Sequence, residues 1–350
     1  MVSRLVLVLF LADPAASLSP TQENVPASPA GGVLAGDEPP RVLVSTDAGG
    51  SDPDDLQSLV HLFLYADQLE LEGLVSSPPK QGRAADIHHV VDVYGRDFPR
   101  LQAVSARYPT PAHLHEMTVQ GAEDPAPEAG WSHPTDGSRW IVQQARRDDP
   151  RPLFVLVWGS ITDLAQAVHD APDIKPKLRV FFIASWNRKM DPHAAAYLQR
   201  EHPDLWMVWS DVTFRGWYSG GDQSGTYGNR SWVTAHARDH GALGEYFISL
   251  RPDDGGGERF EAGDIKMGDT PSLAWLLRGD RDDPGQTSWG GRYRRLADRP
   301  HWWTDLDPAD GVDPRTTVSR WRRDYLDDFA RRFDRCLERQ AGETTQPASP

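Results

Sequence analysis

Ser45-Thr46-Asp47-Ala48-Gly49-Gly50-Ser51-Asp52-Pro53-Asp54-Asp55 is the stretch that decides the reading of this chain. Before it, Arg41-Val42-Leu43-Val44 reads as a short buried strand. After it, Leu56, Leu59, Val60, Phe63 and Leu64 recur at helical spacing and make one apolar face. Asp52 suits an N-cap, Pro53 the first helical position, and Asp54 and Asp55 the first turn, where the helix dipole favours anions. Gly49 and Gly50 allow a tight turn ahead of the helix. Asp47 has no place in that cap. It stands at the carboxyl end of the strand, where open α/β sheets bind ligands. Asp47, Asp54 and Asp55 would then share one small volume, and like charges at that range raise one another's pKa unless a cation neutralises them. Carboxylates with neighbouring carbonyls suit a hard cation, and calcium tolerates irregular geometry better than magnesium does. The segment is equally readable as an acidic cap with solvated extras, and by itself it leaves both readings open.

Working outward, strand-like runs recur at 69–77, 153–158, 178–184 and 205–209. Helical patterns lie between them, as at 84–94, 138–147 and 163–169. Strands alternating with helices predict one α/β domain, 41–340, around a mostly parallel open sheet flanked by helices. Further candidate ligand groups fall just past strand ends: Trp158-Gly159-Ser160-Ile161-Thr162-Asp163 and Ser185-Trp186-Asn187. Gly268-Asp269-Thr270-Pro271 opens a helix with the apolar face Leu273, Leu276 and Leu277, so Asp269 also reads as a plain N-cap. The Gly-rich stretches 219–229 and 253–263 read as loops near the site.

Lys and Arg number 37 against 51 Asp and Glu, a net charge of −14, which disfavours nucleic acid and anionic membranes as partners. A small neutral or cationic ligand is the simpler expectation. The 13 tryptophans are expected mostly in the core. Residues 1–16 read as a secretory signal, with Arg4 ahead of a short apolar run and small residues after it, which points to a secreted or periplasmic protein. Residues 17–40, rich in Pro, Ala, Ser and Gly, read as a flexible linker, and 341–350 as a disordered tail. No other stretch is long and apolar enough to cross a membrane. Cys336 is the single cysteine, so no intramolecular disulfide forms. It continues the stripe Val318, Trp321, Tyr325, Phe329, Phe333 of an expected C-terminal helix, which makes it a buried, inert thiol.

From Arg41 to about Cys336 the chain resembles the nucleoside hydrolase superfamily. Within it the resemblance is to the Sde182-type, nucleoside hydrolase-like domain of cellulose-binding proteins. The motifs that carry it are Thr46 to Asp55, Glu72-Gly73-Leu74-Val75-Ser76-Ser77-Pro78-Pro79, Gly159-Ser160-Ile161-Thr162-Asp163-Leu164-Ala165, His202-Pro203-Asp204-Leu205-Trp206-Met207, Arg215-Gly216-Trp217, Gly268-Asp269-Thr270-Pro271-Ser272, Trp289-Gly290-Gly291-Arg292 and Ser319-Arg320-Trp321-Arg322, in this order. The resemblance implies a nucleoside hydrolase-like fold. It also implies that Asp47, Asp55, Asp269 and the Trp158 carbonyl ligate Ca2+, and that Asp54 and Asn187 hold sugar hydroxyls. Asp47 would be the general base for water, with Asp54 beside it in the catalytic pair. A β-sandwich commonly follows this domain in the branch, and the chain ends about where it would begin.

Those parts suit a calcium-dependent hydrolase of N-glycosidic or other glycosidic bonds, acting on a nucleoside-like or small glycoside substrate. Two departures bear on substrate choice. Gly268 stands where many of these enzymes carry a histidine that helps the leaving base depart, with His193, Asp222, Arg215 and Tyr218 as conceivable replacements. Ser185 stands where they tend to place a sugar-binding glutamate. The competing reading is a non-catalytic carbohydrate-binding protein that keeps the calcium site, its ligand a cell-wall or plant carbohydrate.

Overall fold

In the computed structural model, which describes residues 38–49, 52–79, 83–250 and 263–337, Arg41–Thr46 forms a strand (β1) with all six residues buried. Its side chains serve two cores in alternation. Val42 and Val44 enter one and Leu43 the other, as the two-residue period of a strand requires. A strand apolar on both faces belongs inside a sheet covered by helices on each side. The remaining strands are β2 (Glu70–Ser76), β3 (Thr118–Gln120), β4 (Leu153–Val157), β5 (Leu178–Ile183), β6 (Met207–Ser210), β7 (Tyr293–Arg295) and β8 (Trp302–Asp305). They make one open sheet in the order β3-β2-β1-β4-β5-β6-β8-β7. Every pair is parallel except β7 with β8. β4 repeats the alternation of β1, with Phe154 and Leu156 in the first core and Val155 and Val157 in the second.

The mostly parallel, helix-flanked sheet is the architecture expected from the sequence. The three short strands β3, β7 and β8 were not legible there. Runs of three or four residues carry too little periodicity, and their pairing partners define them. The helix expected at 84–94 continues to Val104, through Gly95 and Pro99. The C-terminal stripe is broken into helices Thr316–Ser319 and Arg322–Phe333 and a 3-10 turn, yet Cys336 is buried as expected, and burial raises its thiol pKa. The N-cap also moves by one residue. Helix Asp54–Leu64 has Pro53 at the cap, while Asp52 Oδ1 accepts the Asp54 N–H at 3.2 Å from outside. The expected leader 1–16, nearly all of the linker 17–40, the tail 341–350 and most of the stretch 253–263 lie outside the described residues. Among the described residues, no helix is long and apolar enough to cross a membrane.

β1 lies between β2 and β4, so successive connections leave it in opposite directions across the sheet. The crevice between the carboxyl ends of β1 and β4 is therefore the topological switch point, where ligands of open α/β sheets bind.

Candidate active site

Asp47 follows β1 and Trp158 follows β4, so both stand at the switch point. The Trp158 N–H donates to the Ser45 carbonyl at 2.7 Å, carrying the β1–β4 pairing one residue past the strand. Beyond it, the chain passes so close to Asp47 that a Cβ on Gly159 would lie 2.8 Å from both the Cβ and the backbone nitrogen of Asp47. Gly159→Ala is therefore expected to push Asp47 out of place at a cost of about 1–3 kcal/mol. Thermal unfolding together with calcium titration checks this, and a variant with unaltered affinity would show that Asp47 tolerates the shift.

The helix after the turn supplies the next two acids. Asp54 and Asp55 occupy the first turn of Asp54–Leu64. Thr46, the last residue of β1, donates its hydroxyl to Asp55 Oδ1. Asp269 comes from far along the chain, at the cap position of helix Thr270–Leu277. It makes no side-chain cap bond there, and its Oδ2 is buried with no hydrogen-bond partner. That separates it from an ordinary N-cap, whose oxygen would be taken by the backbone.

Side chains of the first helix, and Trp158 after β4, hold Asp269 in place. Gln57 Nε2 donates to the Asp264 carbonyl at 2.9 Å, and its Oε1 accepts the N–H groups of Lys266 and Met267 at 2.8 and 3.2 Å. The Thr270 hydroxyl meets Ser58 Oγ at 3.2 Å. The Trp158 indole donates to Ser272 Oγ at 2.8 Å, and that hydroxyl donates to the Asp269 carbonyl at 2.7 Å. Thr46 and Ser272 had no role beyond belonging to the motifs, and Gln57 and Ser58 lay outside them. A polar residue on an apolar helix face, such as fully buried Gln57, was the signal available for one of them.

Asp54, Asp55 and Asp269 bring carboxylate oxygens within 4.8 Å of one another. Asp47 lies outside that triplet, and its charge acts on Asp55 and Asp269. All four carboxyls are pushed above the ordinary range. Burial raises Asp47 to about 7, the charge of Asp54 adding to it. Burial raises Asp54, helped by Asp52, and raises Asp55, helped by Asp47. Asp269 is raised by burial and then by Asp55, Asp54 and Asp47 in turn. Lys266, paired with Asp52, gives the cluster cationic relief at Asp54. Four mutually repelling acids around an unpartnered carboxylate oxygen fit a hard divalent cation, which satisfies the oxygens and removes the repulsion together.

Asn187 closes the β5 side. Its side-chain nitrogen donates to the Trp158 carbonyl and, at 3.0 Å, to the Ile183 carbonyl. Gly268 faces the acids directly. A Cβ there would sit 2.9 Å from Asp54 Oδ2 and 3.5 Å from the Phe214 ring, so any larger side chain presses on the Asp54 carboxylate. Of the conceivable replacement acids, His193 is exposed, Asp222 is taken by Ser224 and Arg323, and Arg215 donates to Ser185. Tyr218 is buried.

Residues 41–293 match the sequence profile of the family described as cellulose-binding Sde182, nucleoside hydrolase-like domain. The chain belongs to this family. Among solved structures, this Sde182-type domain is similar to a nucleoside hydrolase-related hypothetical protein from Saccharophagus degradans that is associated with carbohydrate metabolism. The two are 25% identical over 86% of this chain and 72% of that one, with a TM-score of 0.66. It is also similar to the type III effector XopQ, solved with adenosine diphosphate ribose, at 14% identity over 86% of this chain and 96% of that one, with a TM-score of 0.51. An inosine-uridine preferring nucleoside hydrolase from Bacillus anthracis is 16% identical over 83% and 99% of the two chains, with a TM-score of 0.47. No curated protein matches the chain. The Sde182-type domain thus has a nucleoside hydrolase-like fold with an aspartate cluster at its switch point.

Proposed function

We propose that this domain is a calcium-dependent hydrolase of glycosidic bonds, with a nucleoside-like or other small glycoside as substrate. The observation that carries the reading is the set of four mutually repelling carboxylates at the switch point, Asp55 and Asp269 buried and Asp47 and Asp54 part-buried, one of them with an orphaned oxygen. Asp47, Asp55, Asp269 and the Trp158 carbonyl would hold Ca2+, with Asp54 adjoining them. When bound, the ion would lower the pKa of a water and gather the diol of a sugar.

The chain's own groups do the rest. Asp47 takes the proton from the attacking water. Its neighbours present negative charge toward the sugar ring, where an oxocarbenium-like transition state develops positive charge. Asp54 accepts from a sugar hydroxyl. Asn187 commits its nitrogen to two carbonyls and so offers Oδ1 as the acceptor for another.

A specific observation favours the second reading, a carbohydrate-binding protein without turnover. Gly268 faces Asp54 and donates no proton to a leaving group. Trp186, beside Asn187, is 65% exposed while ten other tryptophans are buried, as a stacking platform for a sugar would be. Turnover of p-nitrophenyl ribofuranoside with calcium and with chelator tests the leading reading, because nitrophenolate departs without an acid. Calcium-dependent turnover is the expected result. Full calcium occupancy with no turnover of this or other nitrophenyl glycosides would transfer the site to the binding reading.

A further inference from the structure

The β5–β6 side of the crevice carries a cation whose role the proposed chemistry leaves unassigned. Arg215 is part-buried and donates from Nη2 to Ser185 Oγ at 3.2 Å, while its guanidinium lies 5.4 Å from the centre of the Phe214 ring. Both contacts border the site. Ser185 is two residues before Asn187, whose amide touches the Trp158 carbonyl. The Phe214 ring lies 3.5 Å from where a Gly268 Cβ would point, and Asp54 Oδ2 lies 2.9 Å from the same place. Nearby Arg188 is neutralised by Asp211 at 2.9 Å. Arg215 has no such carboxylate among the described residues, and one of its five N–H donors is engaged.

We propose that Arg215 and Ser185 form a subsite for an anionic group on the part of the substrate that does not react, a phosphate or a carboxylate carried by the sugar. A guanidinium fork matches both oxyanions, and the Ser185 hydroxyl adds a donor beside it. The substrate class is then a charged glycoside, a sugar phosphate or a uronide, held with its anion on Arg215 and its ring toward the aspartates. The electrostatics require the two ends to differ. An anion near the four acids is repelled, so the charge orients the substrate with its anion away from them. This rests on the glycoside reading above and names the substrate within it.

The test is calorimetric titration of the full chain at saturating calcium, comparing ribose with ribose 5-phosphate and glucose with glucuronate. A charge-assisted contact predicts that at least one charged sugar binds about 10- to 100-fold tighter than its neutral parent. The pair that shows the preference tells phosphate from carboxylate. Arg215→Gln should bring that ratio close to one. So should Ser185→Asp, which supplies Arg215 with a carboxylate while keeping the cation. Equal affinities in the unaltered protein overturn the subsite and leave the glycoside reading standing. A preference that survives both substitutions places the anion on the calcium ion and also overturns it. If neither neutral nor charged sugars bind, both readings fall.

Discussion

Asp47→Asn is expected to reduce turnover of a nitrophenyl glycoside by about 10²- to 10⁴-fold, the usual worth of a positioned general base, and to weaken calcium binding in the same variant. Asparagine keeps the shape of the side chain but removes the group that takes the proton and one of four charges around the cation. A third effect separates this outcome from simple misfolding. Asp47 repels Asp55 and Asp269 in the metal-free protein. Neutralising it should therefore raise the melting temperature measured in chelator while lowering the one measured in calcium. Crossing stabilities with lost turnover are the expected signature. Unchanged calcium affinity in Asp47→Asn would remove Asp47 from the metal site.

The second large effect is a pH dependence of calcium's contribution to stability. The folded-state pKa of Asp47 is raised from 3.8 to about 7, and those of Asp54, Asp55 and Asp269 are raised as well. A raised carboxyl pKa means that the folded state holds protons the unfolded state has released. Their stability contribution is present below about pH 4 and is lost as pH rises through about 7. Asp47 is only part-buried, so solvent screening limits its share to on the order of 2 kcal/mol. Calcium binds the deprotonated cluster and opposes this loss. The gap in melting temperature between calcium-loaded and chelated protein should widen by several degrees from pH 5 to pH 8. Taking the difference cancels groups remote from the site, such as buried His61, whose pKa is lowered to about 3 by burial and which pulls stability the opposite way. A gap that stays constant over that range would show that the acids do not titrate with the metal.

The run from Ser45 to Asp55 already carries the strand, turn and helix start that place two of the acids in one turn beside a third, because those are local consequences of apolar period, glycine and capping chemistry. The family is legible for the same reason, since its motifs sit at strand and helix ends where spacing in the chain is spacing in space. The sequence could not decide whether Asp269 was an ordinary cap. That depended on Gln57 and Ser58 fastening a segment more than 200 residues away against the first helix, on Trp158 holding it through Ser272, and on Oδ2 being left without a partner. Likewise, Arg215 read as one conceivable replacement acid among several, until the parallel pairing of β5 with β6 set it beside Ser185. The local pattern determined which residues reach the carboxyl ends of the strands. Only the order of strands in the sheet decided which of those ends are neighbours, because strand pairing and helix packing join residues with no relation along the chain.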